Sequence, residues 1–183
     1  MRKAISMGVI SLICIFTSGC SILKDEDTIF GYMQGNTYIN KVLGFSMNVP
    51  QDWVVNENFK NPEERTIEEI LEKQDSLTIG GMVNMSMEEA LSDSQEKEEL
   101  SSIYISLLGK YTNIEEYAKE QFEKQSLNMF NKKINGKDYI VLEYANANNY
   151  VTMWNDKVMV FNTIYSDTTI EEINKSIESI KFK

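Results

Sequence analysis

Histidine is absent from all 183 residues, and the only cysteines, Cys14 and Cys20, fall within the first twenty. Without histidine, Ser-His-Asp and Cys-His catalytic arrangements and His-ligated zinc sites are excluded. Beyond Cys20 there is no thiol, so that part of the chain builds its fold without disulfides even in a compartment that permits them. No nucleophile motif stands out along the chain, so an enzyme is not expected. The same inventory assigns no catalytic, cofactor-binding or metal-ligating residue, and no cofactor.

Basic residues are also in short supply, with 18 Lys and Arg against 28 Asp and Glu. Both bases of the first twenty residues, Arg2 and Lys3, precede Cys20, and that segment contains no acid. Residues 20–183 therefore hold 16 bases against 28 acids, a net charge near −12. Such a balance repels nucleic acid phosphates and anionic lipid headgroups alike. No nucleic acid partner is expected, and any hold on a membrane is expected to come from something other than the net charge of the domain.

That something is legible at the start of the chain. Arg2 and Lys3 form a positive n-region, and Met7 to Thr17 is an apolar run, too short for the ~20 residues of a membrane span but within the ~7–15 of a secretory signal. The run ends at Thr17-Ser18-Gly19-Cys20. Small residues leading directly into a cysteine resemble the lipobox of bacterial lipoproteins, although Thr17 stands where that signal ordinarily has leucine. The resemblance implies cleavage before Cys20 and diacylglycerol on its thiol, giving a protein anchored by lipid to the extracytoplasmic face of the cell membrane. Two acyl chains suffice for stable anchoring where one does not. An ordinary secretory signal that happens to contain a cysteine and a short membrane helix are the competing readings.

Residues 1–19 are thus read as signal peptide, 20–36 as lipidated N-terminus and flexible tether, and 37–183 as one domain. Asp25-Glu26-Asp27 lacks the alternating spacing and glycine of a calcium loop and reads as solvated linker. Thr37 to Leu43 and Phe45 to Val49 read as strands about Gly44. In the second, Phe45, Met47 and Val49 alternate with polar residues before Pro50 ends the strand. The stretch Gly44 to Trp53, a glycine and aromatic followed by alternating apolar residues, proline and tryptophan, resembles the opening of PsbP-like lipoprotein domains. That resemblance implies an α-β-α sandwich over about residues 37–183 and carries no catalytic residue with it.

Farther on, Pro62, Glu63, Glu64, Ile67, Ile70 and Leu71 suit a helix start, with Gly80-Gly81 as its breaker. Met82, Val83, Met85 and Met87 read as strand in the core, or as the lip of an adaptable apolar surface. The acids from Glu88 to Glu99 read as a solvated face. Leu100 to Leu108 returns to strand character. A helix follows, with Thr112 and Glu115 as a capping box, Ile114, Tyr117, Ala118 and Phe122 on one face, and Glu115/Lys119 and Glu120/Lys124 spaced to pair.

Asn135-Gly136 predicts a two-residue hairpin turn joining Met129–Ile134 to Lys137–Tyr144, and Asn155-Asp156 joins Tyr150–Trp154 to Lys157–Tyr165. In the last of these strands Val158, Val160 and Ile164 alternate with Met159, Phe161 and Tyr165, so both faces are expected to be covered. Thr169 and Glu172 open a final helix with Ile170, Ile173, Ile177 and Ile180 along one side, and its Ser-Ile-Lys-Phe end also resembles the PsbP-like pattern. Tyr144, Tyr150 and Trp154 read as cross-strand packing, with a ligand or partner groove as the alternative.

The fold expected is α+β, an antiparallel sheet flanked by helices. The function expected is that of a non-catalytic cell-envelope lipoprotein that binds a protein partner or modulates an envelope assembly. An extracytoplasmic small-ligand-binding lipoprotein is the alternative.

Overall fold

The computed structural model describes residues 29–55, 66–84, 100–125 and 128–183. Eleven strands, among the described residues, form two sheets in which every pairing is antiparallel. The larger sheet has seven strands in the order β4 (Val54–Val55), β5 (Ser76–Val83), β6 (Ser102–Leu108), β10 (Lys157–Ile164), β9 (Ala147–Trp154), β8 (Lys137–Glu143) and β7 (Asn128–Ile134). The smaller has four, in the order β1 (Tyr32–Gln34), β2 (Thr37–Asn40), β3 (Phe45–Asn48) and β11 (Lys181–Phe182). Three helices complete the described part: α1 (Ile67–Leu71), α2 (Ile114–Gln125) and α3 (Ile170–Glu178).

The seven-stranded sheet is the middle layer, and its strand period divides its side chains between two cores. On one face Met159 and Phe161 of β10, Tyr139 and Val141 of β8 and Ile103, Ile105 and Leu107 of β6 meet the small sheet and the Ile173, Ile177 and Ile180 side of the last helix. On the other, Val158 and Val160 join Ile140, Leu142 and Val151 beneath Ala118, Ile114 and Tyr117 of α2. The expectation of a strand covered on both sides holds for β10, and the α+β class with helices on both faces holds with it. The second sheet is the addition.

Hairpin chemistry works as read. Asn135 and Gly136 both take positive φ, 46° and 87°, as a two-residue primed turn requires, and Asn155 at 50° turns β9 into β10. Gly44 at 66° turns β2 into β3. Pro50 ends β3, and Trp53 packs half-buried against the larger core.

Several local readings change. Gly80-Gly81 does not end a helix: α1 stops at Leu71, and the two glycines lie inside β5. The pairing of β5 with β6 slips between Thr78 and Gly80, a bulge that leaves the Ile79 carbonyl outside the ladder. Tyr38, fully buried, donates its hydroxyl to that carbonyl at 3.1 Å and accepts from Gly31 N–H at 2.9 Å. Its ring lies so close to Gly80 that a Cβ there would stand 2.6 Å from the hydroxyl. Glycine occupies a strand at this point because another strand's tyrosine needs the space.

The caps also move. Asn113, not Thr112, accepts from the N–H groups of Glu115 and Glu116 and opens α2. Thr169 precedes α3 without capping it, because its hydroxyl meets Ser101 at 2.7 Å and Ser166 at 3.2 Å instead. The reciprocal capping box sits at Thr66 and Glu69, on the five-residue α1. At the front of the chain, Ile29 is buried in the larger core and Tyr32–Gln34 pair with β2. Residues 29–36 of the expected tether thus belong to the fold.

Candidate functional site

The residues that the sequence singles out for chemistry divide by position. Cys20, Asp25-Glu26-Asp27, Met85, Met87 and the acids from Glu88 to Glu99 lie outside the described residues. Met82 is fully buried in the larger core and forms no lip. Tyr144, Tyr150 and Trp154 do not share a groove. Tyr144 packs with the core beneath α2, whereas Tyr150 and Trp154 point through the opposite face of the sheet.

The polar tips of these three aromatics are spoken for within the chain. Tyr150 donates to Asn174 Oδ1 at 3.3 Å, Trp154 Nε1 donates to the Leu43 carbonyl at 3.0 Å, and the Tyr144 hydroxyl accepts from Asn149 Nδ2 at 3.3 Å. Trp154 in particular ties the end of β9 to the β2–β3 turn. Packing, not ligand binding, accounts for all three.

What the structure offers a partner is a free edge of the seven-stranded sheet, at β7. β7 pairs with β8 along its whole length, from Asn128 opposite Glu143 to Ile134 opposite Lys137, and no described strand pairs with its other side. Its first four residues, Asn128 to Asn131, are all exposed. Met129 and Phe130 keep 46% and 43% of their surface in water, large values for such side chains in a strand. Successive residues point to opposite faces, so Met129 lies on the α2 side of the sheet and Phe130 on the other. Phe122, on the α2 face that carries Ala118 one turn earlier, is 39% exposed.

Charge is distributed unevenly along this edge. Lys132 and Lys133 occupy the half next to the Asn135-Gly136 turn and are paired with Glu178 at 3.1 Å and Asp138 at 3.2 Å. Lysines of this kind discourage edge-to-edge pairing. The Asn128–Asn131 half carries no charge, no proline and no bulge, and its outer backbone groups are those to which an added strand would bond.

Helix α2 gives this edge a firm neighbour. The Tyr111 hydroxyl donates to Glu120 at 2.8 Å, and Glu120 also pairs with Lys124. The Lys124 ammonium, with the Tyr111 hydroxyl second, holds the Glu120 carboxyl below its usual range. Tyr117 packs edge-on to Tyr111 with ring centroids 5.1 Å apart, and burial, aided by neighbouring Tyr144, Tyr111 and Glu120, pushes its hydroxyl up to about 12.

Met129 and Phe130 stand partly in water because β7 is an outer strand of the described sheet. In sequence they resemble any apolar pair of a buried strand, and only the position of β7 at the edge leaves them in water. No helix among the described residues is long and apolar enough to cross a membrane.

No family model matches the sequence, and no curated protein matches it. Among solved structures, the chain is similar to cyanobacterial PsbP (CyanoP) from Synechocystis sp. PCC 6803, with a TM-score of 0.47 and 13% identity over 87% of this chain and 96% of that one. It is similar to LpqN, involved in cell envelope biogenesis of Mycobacterium tuberculosis, with a TM-score of 0.41 and 12% identity over 76% and 83% of the two chains. A protein from Bacteroides thetaiotaomicron shares 17% identity at a TM-score of 0.45 over 82% of this chain. The chain spans about half the length of that Bacteroides protein, 49% of which is covered.

Proposed function

We propose that the chain is a non-catalytic lipoprotein of the cell envelope, held on the extracytoplasmic face of the membrane by lipid at Cys20. Its domain, PsbP-like in the pattern from Gly44 to Trp53, binds a protein partner by taking an extended segment as an additional strand on β7. The observation that carries the binding mode is the exposed, uncharged Asn128–Asn131 half of an edge strand, with Met129 and Phe130 in water. Strand addition uses main-chain hydrogen bonds for affinity and alternate side chains for specificity. Met129 and Phe130 supply one apolar contact on each side of the sheet. The anchoring part of the reading is supported by the apolar run ending at Ser18-Gly19-Cys20.

A photo-reactive residue at the exposed Asn131, introduced into the full chain in intact cells, is expected to capture a discrete partner. Met129→Asp with Phe130→Asp is expected to abolish capture while leaving thermal stability nearly unchanged, because both side chains are already exposed. Undiminished capture by that double variant would remove β7 from the account. Separately, Cys20→Ala is expected to shift the chain out of the membrane fraction, and unchanged fractionation with no lipid on the parent protein would remove the anchor.

A further inference from the structure

The described part of the chain enters the fold at Ile29, and several separate turns converge on that entry point. Asn40 donates from its side-chain amide to the Ile29 carbonyl at 3.0 Å and accepts from Leu43 N–H at 2.9 Å, placing the entry beside the β2–β3 turn. Trp154 bonds the Leu43 carbonyl in the same turn, bringing in the Asn155-Asp156 hairpin. Lys183 N–H bonds the Gly44 carbonyl at 2.8 Å, bringing in the end of β11. Lys137, which follows the Asn135-Gly136 turn, lies 4.0 Å over the Phe182 ring. One corner of the domain therefore holds the entry of the chain and residues far apart in sequence.

That corner is basic although the protein is acidic. The hairpin carboxylates Asp138 and Asp156 are matched by Lys133 and Lys157, each at 3.2 Å, and Glu178 beside Asn135 is matched by Lys132 at 3.1 Å. Lys41, Lys137, Lys181 and Lys183 have no carboxylate partner among the described residues, and Lys41, Lys181 and Lys183 are exposed. Lys41 lies 5.4 Å over the Tyr32 ring on the first strand. Asp167, Glu171 and Glu172 are exposed at the start of α3, one helix length from Glu178, whose carbonyl bonds Asn135 at this corner.

We infer that this lysine corner is a docking surface for an anionic phospholipid bilayer. The inference rests on the reading that Cys20 carries the membrane anchor. Eight residues, Ser21 to Thr28, separate Cys20 from Ile29, a span of at most about 30 Å when fully extended. A lipid on Cys20 thus keeps the corner within that distance of the bilayer surface. The tether does not supply the attraction, because Lys24 is outnumbered there by Asp25, Glu26 and Asp27. An anionic leaflet attracts basic groups within about one Debye length, roughly 8–10 Å in ordinary salt. The lysines meet that condition once the tether contracts, while Asp167, Glu171 and Glu172 stand farther from the surface. The result is a domain standing in one orientation on the membrane, with the net repulsion of its charge offset by its arrangement.

The experiment uses the full chain, processed by a bacterial host and reconstituted into vesicles of phosphatidylcholine alone or of equal phosphatidylcholine and phosphatidylglycerol. Lysines are acetylated under limiting reagent, and each site, with the acyl state of Cys20, is read by mass spectrometry. Lys41, Lys137, Lys181 and Lys183 are expected to label about 3- to 5-fold more slowly on anionic than on neutral vesicles, with the difference erased by molar salt. Lys119 and Lys124, exposed on α2, are expected to label equally on both. Combined Lys41→Glu, Lys181→Glu and Lys183→Glu, all at exposed positions, is expected to remove the protection of Lys137. Equal labelling on the two vesicles by protein that carries lipid on Cys20 overturns the docking surface alone. Protein without lipid on Cys20 overturns the anchor and the docking surface together.

Discussion

Tyr139→Phe and Tyr38→Phe delete the same oxygen from two fully buried tyrosines, and the structure assigns them opposite effects. Tyr139 is 1% exposed, and its hydroxyl is buried without a hydrogen-bond partner among the described residues. A buried hydroxyl left unpaired forfeits about 1–3 kcal/mol of desolvation. Its removal opens a gap smaller than a methylene, which costs less than about 0.8 kcal/mol. The net expectation for Tyr139→Phe is a gain of about 1 kcal/mol, or a rise in Tm of about 2–4 °C for a chain of this size.

Tyr38 stands in the same core but bridges the Ile79 carbonyl and Gly31 N–H. Tyr38→Phe orphans both, so a loss of about 2–3 kcal/mol is expected. Urea unfolding followed by the fluorescence of Trp53 and Trp154 measures both variants on one scale. A loss of stability in Tyr139→Phe would show that its hydroxyl is bonded and that the accounting of polar groups in this core is wrong. A neutral Tyr38→Phe would sink the assignment of the bulge carbonyl to that hydroxyl.

The space above Gly80 gives a second expectation. Gly80→Ala places a methyl against the Tyr38 hydroxyl and should cost about 2 kcal/mol or more, and less in the Tyr38→Phe background, as a double-mutant cycle in urea would show. Asn135 holds positive φ and donates to the carbonyls of Glu178 at 2.9 Å and Ile180 at 2.7 Å, just where α3 ends. Asn135→Ala loses both bonds and strains the turn, for about 2 kcal/mol by thermal denaturation, and Asn135→Gly should recover the strain but not the bonds. Alkaline pH supplies a fourth. Burial raises Tyr38, Tyr139 and Tyr150 above the ordinary 10.0 and Tyr117 to about 12. The stability these groups contribute is therefore full below about pH 10 and is lost as pH rises toward the folded values. Absorbance of tyrosinate should lag until unfolding, and titration of these tyrosines near pH 10 in the folded chain would contradict it.

What lay within reach of the sequence was whatever neighbouring residues settle among themselves. The Asn135-Gly136 turn depends on two residues that tolerate positive φ. The burial of β10 on both faces and of one α3 side follows from side-chain periodicity. The signal-like start of the chain is read from charge and length alone. Hence the α+β class, the meander of the last strands and the helices against them could be anticipated.

Tertiary structure decided everything that required a distant partner. Gly80-Gly81 reads as a breaker until Tyr38, 41 residues away from the carbonyl it bonds, fills the space above the strand. Thr169 reads as a cap until Ser101 claims its hydroxyl. β1 and β11 are too short to announce themselves and exist because β2 and β3 offer them edges. Met129 and Phe130 are unremarkable apolar residues until β7 proves to be an outer strand. Lys41, Lys137, Lys181 and Lys183 form no run in the sequence; they share one corner only because turns from both sheets close around the point where the described chain enters the fold. Composition gave the protein's net charge, and folding gathered these lysines around one corner.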